Sequence, residues 1–421
     1  MEGRLQLHQT PDGSSSDKTP TTRLKANFKV SDQPGVSSPP GLWIGTHVDS
    51  GASSSVQINA NLRDSTCFNP DPPLPPKVTE LKDRLQPNFV YQSTPGDNFP
   101  SLPAEEISPI PEKGPTVYPL SAIEDSLSLP ENTQTADEDG ILSYEISKND
   151  EKSINLTNGK ILKIEKKDDI KTVVLYLKGG IALSNSKIEL ASDTKLVIHA
   201  LGPVVVSGNS QIKMTSKTIA LYLDGGMVVS ENSQIALMSD SESAIYTQGP
   251  LTVRKDSQIG VASGSKLAIH AYGSLAASEN SKIELSSDSK LTIYAHGPVT
   301  LAGNSTTPAI KQLASTPSSA NAKLFVYTPS DVNLSGSAPL SLFVLAPNSK
   351  VTSSAKVEGS IWSKSWIGMD AAAIHQDIEK TTDLELKVSW PIKILPITAW
   401  QQCVVPFPSE RESDLPTCQK S

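Results

Sequence analysis

Six glycines keep a fixed beat through the middle of this chain, and that beat restricts the fold more than any other feature. Gly179, Gly202, Gly225, Gly249, Gly273 and Gly297 are spaced by 23, 23, 24, 24 and 24 residues. A second marker runs in phase with them: Asn185, Asn209, Asn232, Asp256, Asn280 and Asn304, each followed by serine. A period in the twenties is shared by leucine-rich repeats and β-helices. The pattern inside the unit separates them. Apolar residues alternate with period two on both sides of each marker, which suits strands and not helices. Val173, Leu175 and Leu177 fall on one side, with Tyr176 and Lys178 on the other. Ile181 and Leu183 continue the inward set after the glycine, and Ile188 and Leu190 continue it after Asn185 and Ser186. The Leu-x-x-Leu-x-Leu signature of leucine-rich repeats is missing.

The register persists from unit to unit. Leu175, Ile198, Leu221, Ile245, Ile269 and Ile293 form one inward column, and Ile188, Ile212, Ile235, Ile259 and Ile283 another. Leu190, Met214, Leu237, Val261 and Leu285 form a third. Three short strands per coil, turned by glycine, by Asn-Ser and by a Ser/Asp stretch, predict an all-β fold: a right-handed, three-sided parallel β-helix. Each coil buries about six aliphatic side chains, at roughly 1.5–3 kcal/mol apiece. Ordering its backbone costs about 1–2 kcal/mol per residue. A single coil therefore cannot stand alone, and the coils must stack.

The flanks differ in composition. Residues 1–40 are rich in Ser, Thr, Pro and Gly and read as a disordered tail. Residues 41–67 form a short strand-like segment, a candidate for docking on the solenoid. Residues 68–137 read as a proline-rich linker, since fourteen of the 32 prolines lie between Pro70 and Pro130. The repeat itself is placed at 138–377, with an inserted loop at 306–322 and a C-terminal cap bearing Trp362 and Trp366. Residues 378–421 are an extension.

With 5% aromatic residues the chain cannot fill a wide globular core, but it can fill a narrow one layer by layer. Its net charge of -8 argues against a nucleic-acid partner. Cys67, Cys403 and Cys418 show no metal-ligand spacing, so neither a structural zinc nor a cofactor is expected. In an oxidising compartment Cys403 and Cys418 could close a small disulfide loop. No stretch approaches the ~20 apolar residues of a membrane span, and Met1–Ala26 lacks the apolar segment of a secretory signal. Contact with a membrane is then expected only through an anchor that this sequence does not contain. Both an extracytoplasmic and a cytoplasmic location remain open at this point.

Two sets of repeated positions could carry function. The Asn column (Asn185, Asn209, Asn232, Asp256, Asn280, Asn304) suits tight turns whose amides bond from coil to coil, which is a structural role. The outward column beside Leu175 reads Tyr176, His199, Tyr222, Tyr246, His270 and Tyr294. Two positions on, the next reads Lys178, Leu201, Asp224, Gln248, Tyr272 and His296. Rings on adjacent coils lie about 4.8 Å apart and can stack. The bland reading is an aromatic ladder stabilising a solvated sheet. The sharper one is a flat strip for a linear partner such as a polysaccharide, densest at Tyr246, His270, Tyr272, Tyr294 and His296. Catalysis is not expected and no catalytic residue is assigned. Glycoside cleavage needs paired carboxylates, whereas Asp224 has no carboxylate above or below it and Glu189 and Glu284 stand four coils apart.

The stretch Val173–Ser186 resembles the solenoid region that follows the pilin-like anchor of bacterial PilX-type pilus-assembly proteins. Leu345–Ser349, Val357–Trp366 and Ala373–Asp377 are similar to the way that region closes. Gly41–Gly45, Ile58–Asn61 and Cys67 resemble its upstream part. The similarity spans roughly residues 41–377, and the long linkers resemble those of cyanobacterial members. It implies an extracytoplasmic, surface-associated β-helix whose partners are pilus machinery, surface components or polysaccharide. The family assigns no catalytic residues, and this sequence departs from it in lacking the apolar anchor. Two alternatives stand beside this expectation. One is a cytoplasmic, polymer-forming scaffold of the bactofilin type, favoured by short coils and uncapped ends. The other is a polysaccharide-active β-helix enzyme.

Overall fold

A computed structural model describes residues 40–45, parts of 51–93, residues 101–105, and, with short breaks, 117–303 and 323–376, together with two outlying strands. The repeat folds as the glycine beat demands, into a parallel β-helix whose every described coil is built of strands. On the first face, Thr172–Leu177, Lys195–Ala200, Thr218–Leu223, Glu242–Thr247, Lys266–Ala271 and Lys290–Ala295 pair in parallel. The column from Leu175 to Ile293 is in direct register, and every member is at most 4% exposed. The second face holds strands such as Val204–Ser207 and Met227–Val229. The third runs from Leu127–Leu129 through Ile161–Ile164, Lys187–Leu190 and Gln211–Met214 to Lys282–Leu285.

The corners explain the two markers differently. The spaced glycines are required by close approach: a Cβ on Gly225 would lie 2.6 Å from the backbone nitrogen of Pro203, and the same crowding recurs at Gly202, Gly249, Gly273 and Gly297. Left-handed backbone falls instead on the Asn column, with φ of 50° at Asn185, 63° at Asn209, 59° at Asn232, 59° at Asp256 and 63° at Asn280. Asn and Asp tolerate that region better than most side chains. The amide of Asn232 donates to Asn209 Oδ1 at 2.8 Å, and that of Asn209 to Asn185 Oδ1 at 3.4 Å. The serines that follow are buried, and the hydroxyls of Ser210, Ser233 and Ser257 each accept from the backbone N–H of the serine one coil earlier at 3.1 Å. Asn304 and the loop at 306–322 lie outside the described residues.

Both ends of the solenoid depart from the boundaries expected above. The first coil begins earlier than residue 138. Val117–Leu120 pairs with Ile141–Ile146, and Leu127–Leu129 pairs with Ile161–Ile164, although both lie in the stretch read as linker. Proline density misleads there because Pro119 sits on an edge strand, where a missing N–H costs no ladder bond. At the other end, the strand with Trp362 and Trp366 is internal rather than terminal, and both rings are fully buried. The 41–67 segment continues the stack beyond it. Leu42–Ile44 pairs in parallel with Ile361–Ser363, and Leu62–Asp64 and then Tyr91–Ser93 pair outward from it. Gln57–Asn59 pairs with Ala373–His375. Trp43 packs edge-to-face on Trp362 at 5.2 Å, and Trp362 Nε1 donates to the Pro40 carbonyl at 2.8 Å. Among the described residues the first face is thus one ladder of fourteen strands whose spatial order is not the chain order.

A separate small unit holds the termini. Arg23–Asn27, within the stretch read as a disordered tail, pairs antiparallel with Ala399–Cys403. Cys418 lies outside the described residues, and so does any pairing of it with Cys403.

Candidate functional site: the Tyr/His ladder

From Tyr222 onward the outward column of the first face is a continuous ring ladder. Tyr222 and Tyr246 stack with centroids 4.7 Å apart, Tyr246 and His270 at 4.7 Å, His270 and Tyr294 at 4.7 Å, and Tyr294 and Tyr327 at 5.3 Å. The spacing is that of the strands themselves, so direct register alone places ring on ring. At its start the ladder is less regular: Tyr176 meets His199 edge-on at 6.3 Å. His199 Nε2 in turn lies 3.5 Å from Asp224.

This ladder is not an open strip. Tyr176, Tyr222, Tyr246, His270 and Tyr294 are all buried, His270 at 2% exposure. The small column beside it is buried too, and Val174, Val197 and Ala220 join Tyr176, Tyr222 and Tyr246 in a second apolar cluster outside the sheet. A parallel sheet covered on both sides reads as an unbroken apolar run. The segments Thr172–Leu177 (TVVLYL) and Thr218–Leu223 (TIALYL) carry that signal. Burial pushes the Tyr222 hydroxyl up to about 12, with a smaller contribution from Tyr246. Burial raises Tyr327 as well, again with a lesser contribution from its ladder neighbour Tyr294.

Of the five residues expected on the ligand strip, Tyr272 and His296 alone retain substantial exposure. Tyr272 is 39% exposed and the His296 side chain 44%, and the two rings stack at 4.7 Å with planes 3° apart. What reaches the strip is the chain's own proline-rich segment. Glu105 Oε2 lies 3.2 Å from His270 Nδ1, and Glu105 Oε1 lies 2.9 Å from His296 Nε2. An ionised carboxylate only accepts, so each imidazole presents an N–H to it. Nothing in the repeat announces Glu105, which is separated from His270 by 165 residues. Among the described residues no group of three or more His, Cys, Asp or Glu is arranged to hold a metal ion.

A second polar site joins the two ends of the chain's path. Asn59 Nδ2 lies 3.2 Å from the His375 ring, whose pKa is lowered by burial and by nearby Lys356, with Glu358 opposing. No helix among the described residues is long and apolar enough to cross a membrane.

Comparison of the chain with protein-family profiles, with curated proteins and with solved structures finds no match, so its functional reading rests on its own residues.

Proposed function

We propose that this protein is a non-enzymatic cell-surface β-helix, serving as a structural or adhesive module in type IV pilus assembly or at surface polysaccharide. The observation that carries the reading is that a proline interrupts the edge at one end of the stack and that the Trp362 coil is not left open at the other. Pro119 breaks the outer edge at one end, and strands from residues 42–93 cover the Trp362 coil at the other. Exposed edges invite end-to-end pairing, and proline or added cover suppresses it. This favours a discrete, non-polymerising β-helix over a bactofilin-like polymer. The link to pili and the surface location rest on the sequence resemblance. Sedimentation and negative-stain imaging of the full chain test the reading. Monomers are expected at micromolar concentration, and filaments would promote the polymer instead.

Polysaccharide binding has one specific observation in its favour, the exposed parallel stack of Tyr272 and His296. Flat exposed rings are the part of this face that a sugar ring can cover. On a glycan array, Tyr272→Ala is expected to abolish whatever binding the full chain shows. Undiminished binding removes the strip from consideration.

A further inference from the structure

The two histidines that meet Glu105 are themselves fixed in place. His270 is buried between Tyr246 and Tyr294, with ring centroids 4.7 Å away on either side. His296, one coil on, lies against Tyr272 with its plane only 3° away. Their N–H groups are thus set out in advance, one for each oxygen of a single carboxylate, at 3.2 and 2.9 Å. Such charge-assisted bonds are roughly twice as strong as those to a neutral acceptor, so the pair favours a carboxylate over a hydroxyl or an amide.

The occupant is held less firmly than its receptor. None of residues 101–105 is buried and none belongs to a strand, and the Glu105 side chain is 22% exposed. A surface segment outside the sheets opens at low cost, and an ion pair that water reaches contributes little. Beside the carboxylate, Tyr272 stays exposed. The strands Lys266–Ala271 and Lys290–Ala295, which lead into these rings, contain no acidic residue, and each opens with a lysine. Anion-binding donors and an exposed aromatic ring therefore lie side by side. A uronic acid offers the matching pair, a carboxylate carried on a pyranose ring.

We propose, resting on the polysaccharide reading above, that His270, His296 and Tyr272 form a binding site for the uronic-acid residues of an acidic polysaccharide. Glu105 is an internal competitor that fills the carboxylate position until such a polymer displaces it. The sugar carboxylate then takes the two imidazole donors, and the sugar ring covers the exposed part of Tyr272. Residues 101–105 can move aside without breaking a strand, because they form none.

Calorimetric titration of the full chain with a mannuronate trisaccharide tests this, beside the corresponding mannose trisaccharide, which carries a hydroxymethyl group in place of each carboxylate. A tethered competitor acts at a high effective concentration, so Glu105→Ala is expected to bind the mannuronate trisaccharide about tenfold more tightly than the parent. Glu105→Gln, which keeps the shape and loses the charge, is expected to gain less. Adding His296→Ala to Glu105→Ala is expected to cancel the gain, with strand circular dichroism unchanged in each variant. The mannose trisaccharide is expected to show no gain with Glu105→Ala. Mannuronate bound no more tightly by Glu105→Ala than by the parent overturns the proposal. A triglutamate peptide that matches the mannuronate trisaccharide on Glu105→Ala overturns the assignment to a sugar. Both sugars bound equally by the parent and by Glu105→Ala, and lost in Tyr272→Ala, would remove the carboxylate site and leave the polysaccharide reading standing. Neither sugar bound by any of these chains removes the uronic-acid site.

Discussion

The first and third faces of the solenoid are made by the same coils, at the same spacing and in the same register, yet they are built to different rules. On the third face, Gln211–Met214, Gln234–Leu237 and Gln258–Val261 alternate strictly between buried and half-exposed residues. Their outward positions hold Gln211 and Gln234, whose side chains bond to each other at 3.1 Å in contact with water. On the first face, Thr172–Leu177 and Thr218–Leu223 are buried on both sides after their first residue. The difference is one of cover rather than of backbone. A face with chain over it gains a second apolar layer, and only that face can support a buried ring ladder.

The sharpest way to break this comparison is to truncate one outward residue on each face. Tyr222→Ala removes a ring from a closed ladder and is expected to cost roughly 3 kcal/mol in chemical denaturation. Lys213→Ala, outward on the third face, is expected to lie within about 0.5 kcal/mol of the parent. Equal losses would mean that the ladder's burial contributes nothing. A smaller effect, about 1–2 kcal/mol, is expected for Asn232→Ala, which places a less tolerant side chain at φ 59° and breaks an amide ladder. Asn232→Gly should recover part of that loss, since glycine adopts the conformation freely. Both would be read from shifts in denaturation midpoint. The least perturbing test is alkaline titration. Because Tyr222 is raised from 10.0 to about 12, its burial stabilises the fold fully below pH 10 and ceases to do so as pH rises through about 12. The tyrosinate absorbance that Tyr222→Phe removes should thus appear together with loss of strand circular dichroism, and a Tyr222 contribution that ionises near pH 10 in a folded chain would contradict its closed position.

The contrast between faces also marks what could be read in advance. The inward columns were legible because glycine, Asn and aliphatic residues recur at one period, and direct register turns a period into a contact. The ladder's rings were legible for the same reason, whereas their burial was not. Alternation says which residues leave the core but not whether chain covers them, and the one hint was the unbroken run from Val173 to Leu177. Glu105 was beyond reach because His270 lies 165 residues away and shares no repeat with it, and for 41–67, a candidate for docking, the place of docking was hidden by a separation of more than 300 residues. The serines of the Asn-Ser corners were seen as markers only. The bonds that the buried hydroxyls of Ser210, Ser233 and Ser257 accept from the preceding coil answer the cost of enclosing a polar group at the corner.

The parallel pairing of Leu42–Ile44 with Ile361–Ser363 fixes an order of events during synthesis. Leu42 leaves the ribosome 319 residues before its neighbour Ile361 exists. The coils between Ile141 and Leu285 can stack as they emerge, because each touches the one made just before it. These early strands are among the last to complete their pairing, and such distant contacts form slowly. Throughout that wait Leu42–Ile44 has Leu62–Asp64 for a neighbour but not the Ile361–Ser363 strand, so its apolar residues lack the solenoid they will pack against and are open to misassociation.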